Sequence, residues 1–298
     1  MKSSRALPLP REHGKRKFQV DRLLRRLPLH AIIVVMVLIW SVPTLGLLVS
    51  SFRPAHLVTT SGWWTALVPP WNFSLDLYRE ALGTAGMGRS FINSLFITIP
   101  ATVIPIMIAA FAAYCFAWMK FPGRNVLFVS VVGLLVVPLQ TTLIPVLRLY
   151  NELGLTGTFT GIWLAHAAYG LPFAVYLLRN FFGTLPKDML ESAFLDGASP
   201  FTAFFYLALP LSLPALASLA IFQFMWVWND LLVALIYLGG APDVAPMTVT
   251  IGNLTNSLGG GWQLLTAAAF VSMMLPLAVF FTLQRYFVRG ILAGSVKG

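Results

Sequence analysis

A chain of 298 residues that is 58% hydrophobic and only 10% charged, with a mean hydropathy of +0.80, cannot solvate an ordinary globular surface. Its runs of about 20 apolar residues need lipid as their solvent, and backbone groups in lipid must bond within their own segment, so the runs are predicted to be helices; the alternating strands of a β-barrel are absent from the pattern. The net charge of +10 does not point to nucleic acid, because nine of the twenty Lys and Arg fall within residues 1–29 and read as a topology signal.

In chain order, residues 1–29 form a basic, proline-containing tail, and the first span is predicted at 30–51. The apolar stretch from Ala31 to Val49 is longer than a signal-peptide core and no small-x-small cleavage site follows it, so it reads as a retained anchor. Residues 52–90 form a polar loop whose Trp63, Trp64 and Trp71 suit a membrane interface. The second span is predicted at 91–117 and contains the single cysteine, Cys115, which excludes an internal disulfide. After the turn at Lys120, Pro122, Gly123 and Arg124 comes a third span at 125–147, with Pro138, Gln140 and Pro145 inside it. A fourth span is predicted at 160–180, a fifth at 211–238 and a sixth at 264–284, with an amphipathic segment at 181–206 and a Gly- and Pro-bearing loop at 239–262.

Six spans put both termini on one side. Sixteen of the twenty Lys and Arg then share that side, against Arg53, Arg79, Arg89 and Arg148 opposite, which places both termini in the cytoplasm. No internal repeat is evident, and no GxxxxGK[ST] loop is present, so if ATP drives this protein another chain hydrolyses it.

The segment from Pro186 to Pro200 carries the most information. Pro186 suits the start of a helix, and Asp188 and Glu191 fall at or near its positive end. Met189, Leu190, Ala193, Phe194 and Ala198 recur at helical spacing, Gly197 permits a conformation or close approach closed to larger residues, and Pro200 discourages continuation. These features define a short amphipathic helix on the membrane surface followed by a turn, with or without a partner.

The stretch Glu191-Ser192-Ala193, Asp196-Gly197-Ala198, Leu209-Pro210 and Pro214 resembles the EAA loop of ABC importer permeases, with Ser192 where that family has its first Ala. The end, from Arg285 through Gly290 and Gly294 to Val296-Lys297-Gly298, resembles the carbohydrate branch, being similar to the tail of the smaller maltose-transporter permease. Trp228-Asn229-Asp230 and Pro138-x-Gln140 are similar to that branch too, and the likeness covers roughly residues 90–298. The resemblance implies an all-α, six-span ABC type I importer permease fold. It divides the chain into a basic tail (1–29), a first span with external loop (30–88), a permease core (89–290) containing the coupling loop (184–206), and a C-terminal tail (291–298).

It also implies a role: a non-catalytic subunit of a sugar importer in a bacterial or archaeal inner membrane. Glu191, Ala193, Asp196, Gly197 and Ala198 would dock into an ATPase dimer that binds ATP and Mg²⁺, and Gly294, Val296 and Lys297 would touch the same dimer. A second permease would share the path, and an external solute-binding protein would deliver the sugar.

Asp230 is the one acid well inside an apolar run, and such a residue faces the bundle interior or a cavity. It is either a solute-path residue or a structural anchor with Asn229. Gln140 and Asn229 offer amides, and Trp226, Trp228 and Tyr237 offer rings, to a sugar; packing is the alternative for each. His166 reads as a helix–helix hydrogen-bond partner rather than a proton relay. The rival functions are an ion-driven transporter using Asp230, an ABC permease for a non-sugar solute, and a membrane scaffold without transport.

Overall fold

The computed structural model describes the backbone of residues 13–254 and 261–295, and the side chains of 26–254 and 261–284. The described residues form helices and turns, with no strand. They are α1 (His13–Ser51), α2 (Ala55–Thr60), α3 (Asp76–Leu82), α4 (Met87–Trp118), α5 (Arg124–Gly133), α6 (Leu139–Glu152), α7 (Phe159–Phe182), α8 (Lys187–Leu195), α9 (Pro200–Ala203), α10 (Leu209–Leu211), α11 (Leu213–Trp228), α12 (Leu232–Leu238), α13 (Met247–Asn253) and α14 (Trp262–Ser295).

Four continuous segments are long and apolar enough to cross a membrane: Arg26–Ser51, Met87–Trp118, Phe159–Phe182 and Trp262–Gln284. Two bent pairs complete six spans. Arg124–Val136 and Leu139–Glu152 meet at 101°, and Pro200–Leu211 and Leu213–Trp228 meet at 72°. The third span is therefore not the straight helix expected at 125–147. Pro138 has no N–H and forces Val137 out of the helical region (φ −73°, ψ 116°), so the chain turns there. The fifth is also not one helix over 211–238: α11 ends at Trp228, and Asn229, Asp230 and Leu231 separate it from α12. Two ends run longer than expected. α1 reaches back to His13 within the basic tail, and α14 continues past Gln284 because no proline interrupts residues 284–295.

The packed centre is α4, α7, α11 and α14. α4 and α7 lie along each other through Ala101, Ala109, Ala110 and Ala113 on one side and Ala165, Gly170 and Ala174 on the other, small residues that let helix backbones approach where no hydrophobic effect drives them together. One apolar cluster joins the α4 and α7 C-terminal halves to Phe204, Ala208 and Leu219; a second joins their opposite halves to Leu143, Tyr237 and Val249; a third gathers Leu77, Met87, Trp228 and Ala268 under α14. α1 lies outside this centre with most of its large side chains exposed, a lipid-facing pattern.

Proline placement explains how the centre is fixed. An interior helix proline deprives the carbonyl four residues earlier of its N–H partner, and in lipid that carbonyl must find another. α4, α7 and α14 hold four interior prolines: Pro100, Pro105, Pro172 and Pro276. Pro100 frees the Phe96 carbonyl, which accepts from Trp163 Nε1 of α7 at 2.9 Å. Pro105 frees the Ala101 carbonyl, which accepts from Gln223 Nε2 of α11 at 3.2 Å. Pro276 frees the Ser272 carbonyl, which accepts from Trp228 Nε1 of α11 at 3.1 Å. Three prolines thus become three interhelical joints.

Candidate functional site

The loop after α7 folds as a helix, a left-handed turn and a second helix. Pro186 precedes α8 as its cap rather than occupying its first turn, and Asp188 sits in that turn. Leu190 is fully buried, while Met189, Ala193 and Ala198 are partly so, and these residues seat α8 on the bundle. Gly197 ends it at φ +84°, a conformation that disfavours any Cβ. The N–H of Ala198 donates to Ala193 O at 2.9 Å and that of Gly197 to Phe194 O at 3.1 Å, the paired bonds of a Schellman motif. Ser199 then caps the next helix, its Oγ accepting from Thr202 N at 3.1 Å. Glu191, Asp196 and Gly197 are exposed, and so is a neighbouring apolar knob of Phe194, Phe201, Tyr206 and Leu195, the last 88% exposed. A Cβ placed on Gly197 would meet nothing within 4 Å, so this face is open.

Of the tail residues, Gly294 lies in the last turns of α14, and Val296 and Lys297 lie outside the described residues.

The polar residues of the spans do not converge on one point. Asp230 stands at the α11–α12 break. Its Oδ1 accepts from Val233 N at 3.2 Å and its Oδ2 from Ala234 N at 2.9 Å, so both carboxylate oxygens serve the first turn of α12. Its carbonyl accepts from Thr248 Oγ1 at 2.5 Å. His166, 1% exposed, brings Nε2 to 3.6 Å from Asp230 Oδ2, and its Nδ1 has no partner among the described residues. The Asp230 carboxylate thus caps α12, with the His166 ring of α7 beside it. Asn229 is exposed and donates to Met225 O at 2.7 Å; Gln140 is exposed beside the Pro138 bend. Trp228 and Tyr237 are buried, which makes them packing residues.

Trp226 is placed differently. It lines a cavity of about 490 Å³ between the bent third span, α7 and α11, together with Leu139, Thr142, Ala168, Tyr169 and Pro172. Its ring stands edge-on to His166, centroids 5.4 Å apart. Beside it runs a hydroxyl chain, Thr142 Oγ1 to Tyr169 Oη at 2.9 Å and Tyr169 Oη to Tyr237 Oη at 2.7 Å. Thr142, Tyr169 and Ala168 were not singled out by sequence. The available signal was Pro172, which marks the Ala168 carbonyl by spacing alone.

On the face opposite α8, Arg53 is buried without a carboxylate partner among the described residues and donates to Ser61 O, Ser61 Oγ and Thr65 Oγ1, the shortest at 2.6 Å. Burial lowers its pKa from the ordinary arginine value. Arg89 pairs with Asp243 at 2.6 Å and ties the start of α4 to the 239–246 loop, where Asn93 Nδ2 also donates to Asp243 O and Ala245 O.

The backbone aligns with a chain of a bacterial ABC transporter involved in the import of the acidic polysaccharide alginate, with a TM-score of 0.72 over 94% of this chain and 100% of that one, at 20% identity. The chain is 61% identical over 276 residues to the osmoprotective compounds uptake permease protein GgtD of Synechocystis sp., covering 92% of this chain and 93% of that protein. It is 59% identical over 239 residues to the alpha-glucoside transport system permease protein AglG of Rhizobium meliloti, covering 78% of this chain and 63% of that protein. These matches set aside the ion-driven and scaffold alternatives. Since residues 90–293 match its profile, the chain belongs to the binding-protein-dependent transport system inner membrane component family, and is a multi-pass, non-catalytic permease subunit of an ABC transporter.

Proposed function

We propose that this permease serves an importer of α-glucosides and related glycosylated solutes. The observation that carries the reading is the 59% identity, over 239 residues, to a permease named for alpha-glucoside transport. A second reading, a non-sugar osmoprotectant, draws on the 61% identity to a permease named for osmoprotective compounds.

In the proposed mechanism two six-span permeases enclose the path. An ATPase dimer, binding ATP and Mg²⁺, receives the α8 loop of this chain. Glu191 and Asp196 supply charged contacts; Ala193, Gly197 and Ala198 keep the docking face low; the exposed apolar knob fills a groove on the partner. Gly294, Val296 and Lys297 add a tail contact with the same dimer. This requires α8 and both termini in the cytoplasm, consistent with the sixteen-to-four charge split. ATP closure moves α8, and the span joined to it, to open the path toward an external solute-binding protein; hydrolysis resets it.

The test is reconstitution. The tagged chain is purified from native membranes with whatever accompanies it, placed in proteoliposomes with the binding protein, and assayed for ATP-dependent uptake of maltose, sucrose, trehalose and glycine betaine. Uptake of the α-glucosides supports the reading. Uptake of glycine betaine alone overturns it in favour of the second.

A further inference from the structure

Two polar groups in the wall of one cavity have no side-chain partner among the described residues. Of the four interior prolines in α4, α7 and α14, three have their freed carbonyl capped by a side-chain N–H of another helix. Pro172 is the exception. It withholds an N–H from the Ala168 carbonyl, and no side chain of the described residues donates to that carbonyl instead. Ala168 and Pro172 both line the 490 Å³ cavity. Trp118, Trp163 and Trp228 each donate Nε1 to a backbone carbonyl, at 3.1, 2.9 and 3.1 Å. Trp226, 37% exposed, donates to no group among the described residues, and it lines the same cavity.

A carbonyl deprived of its i+4 N–H and an indole N–H without a partner each cost free energy in apolar surroundings unless a ligand completes them. Tyr169 lies ten residues into the twenty-four of α7, about 15 Å from its start, which puts the cavity near the middle of the span. The volume lies within the range of about 300–1,000 Å³ that small ligands occupy.

We infer that this cavity is a sugar subsite on the translocation path, with Trp226 as the stacking platform and the Ala168 carbonyl as a hydroxyl acceptor. A pyranose ring has an apolar face suited to an indole and a rim of hydroxyls that donate and accept. The indole N–H donates to a ring hydroxyl, the Ala168 carbonyl accepts from another, and the free lone pairs of the Thr142–Tyr169 chain accept a third. The sugar contacts α7, α11 and the bend of the third span at once, so occupancy is sensitive to their separation. The inference rests on the α-glucoside reading.

The test uses the complete reconstituted transporter with Cys115→Ala as background. Ala168→Cys is exposed to a hydrophilic thiol reagent with and without maltose-loaded binding protein. Maltose at about ten times its dissociation constant is expected to slow labelling about ten-fold. Trp226→Ala is expected to lower transport about ten-fold at saturating binding protein, while ATP hydrolysis is retained. Pro172→Ala, which restores an N–H to the Ala168 carbonyl and removes no polar group, is expected to lower transport in the same direction. The subsite is overturned if Ala168→Cys is never labelled in any nucleotide state, since a neighbouring permease then fills the cavity. It is equally overturned if labelling ignores maltose and Trp226→Ala transports normally. If the unmutated complex moves no α-glucoside, the substrate reading itself fails; if it does, and only these variants are silent, the subsite alone falls.

Discussion

The indole N–H of Trp163 donates to the carbonyl of Phe96 at 2.9 Å, and that carbonyl is free only because Pro100 follows it by four residues. A sequence feature that weakens one helix has become the joint between two. Removing the donor alone leaves a bare carbonyl in lipid, whereas removing donor and proline together lets the helix satisfy itself. Trp163→Phe is expected to lower the Tm of the purified protein, by about 0.6–2 kcal/mol of stability. Pro100→Ala in the Trp163→Phe background is expected to recover part of the loss. A double variant as unstable as the sum of the single ones would show that the indole acts by packing against Phe96 and Phe159 rather than by capping the carbonyl.

The α4–α7–α11 joint is tighter. A Cβ on Gly170 would lie 2.5 Å from Gln223 Oε1, the residue whose Nε2 donates to Ala101 O. Gly170→Ala therefore displaces Gln223 from the carbonyl that Pro105 exposes. The expected cost is about 1–3 kcal/mol, read as a fall in Tm. Gly170→Ala combined with Gln223→Ala should be no worse than Gln223→Ala alone, since the clash and the lost bond are then the same event.

Gly197 is the residue on which helix α8 turns, at φ +84°. Any L side chain there costs about 1–2 kcal/mol of left-handed strain, and a large one also projects into the open face of the loop. Gly197→Trp is expected to abolish recovery of the ATPase with the tagged permease while lowering the Tm no more than Gly197→Ala does, since a Cβ there meets nothing within 4 Å. Gly197→Ala should give a partial loss. Full recovery of ATPase with Gly197→Trp would remove the α8 loop from the interface.

How far the sequence reaches can be judged by element. The span predicted at 91–117 is α4, Met87–Trp118, and those at 160–180 and 264–284 lie within α7 and α14, because continuous apolar runs need helix and lipid together. Hydropathy averages over bends and breaks, so the third span reads as straight across Pro138 and the fifth as continuous across Asn229 and Asp230, although these residues are evident in the sequence. The helix-and-turn form of the α8 loop was legible, since a left-handed glycine and a helix stop are local properties, but Phe194, expected on the apolar face with Leu190, stands exposed. The cavity was not. Only tertiary packing shows that Trp163 and Trp228 spend their N–H groups on proline-freed carbonyls and that Trp226 does not.

Asp230 shows the same limit from the other side: an acid in an apolar run signals function, yet its two oxygens are engaged by Val233 N and Ala234 N. Those bonds hold the start of α12, and the carbonyl of Asp230 holds Thr248 of α13. Asp230→Asn keeps one acceptor oxygen in the same place and removes the charge; Asp230→Leu removes both acceptors. If the residue is an anchor, Asp230→Asn transports at nearly the unmutated rate, and Asp230→Leu loses about 0.5–2 kcal/mol of stability, the usual cost of deleting a helix cap, with transport falling in step. If the charge itself serves transport, Asp230→Asn and Asp230→Leu fail alike, and Asp230→Asn does so with an undiminished Tm. Uptake rate and Tm measured on the same two variants separate the cases, and the geometry at the α11–α12 break predicts the first.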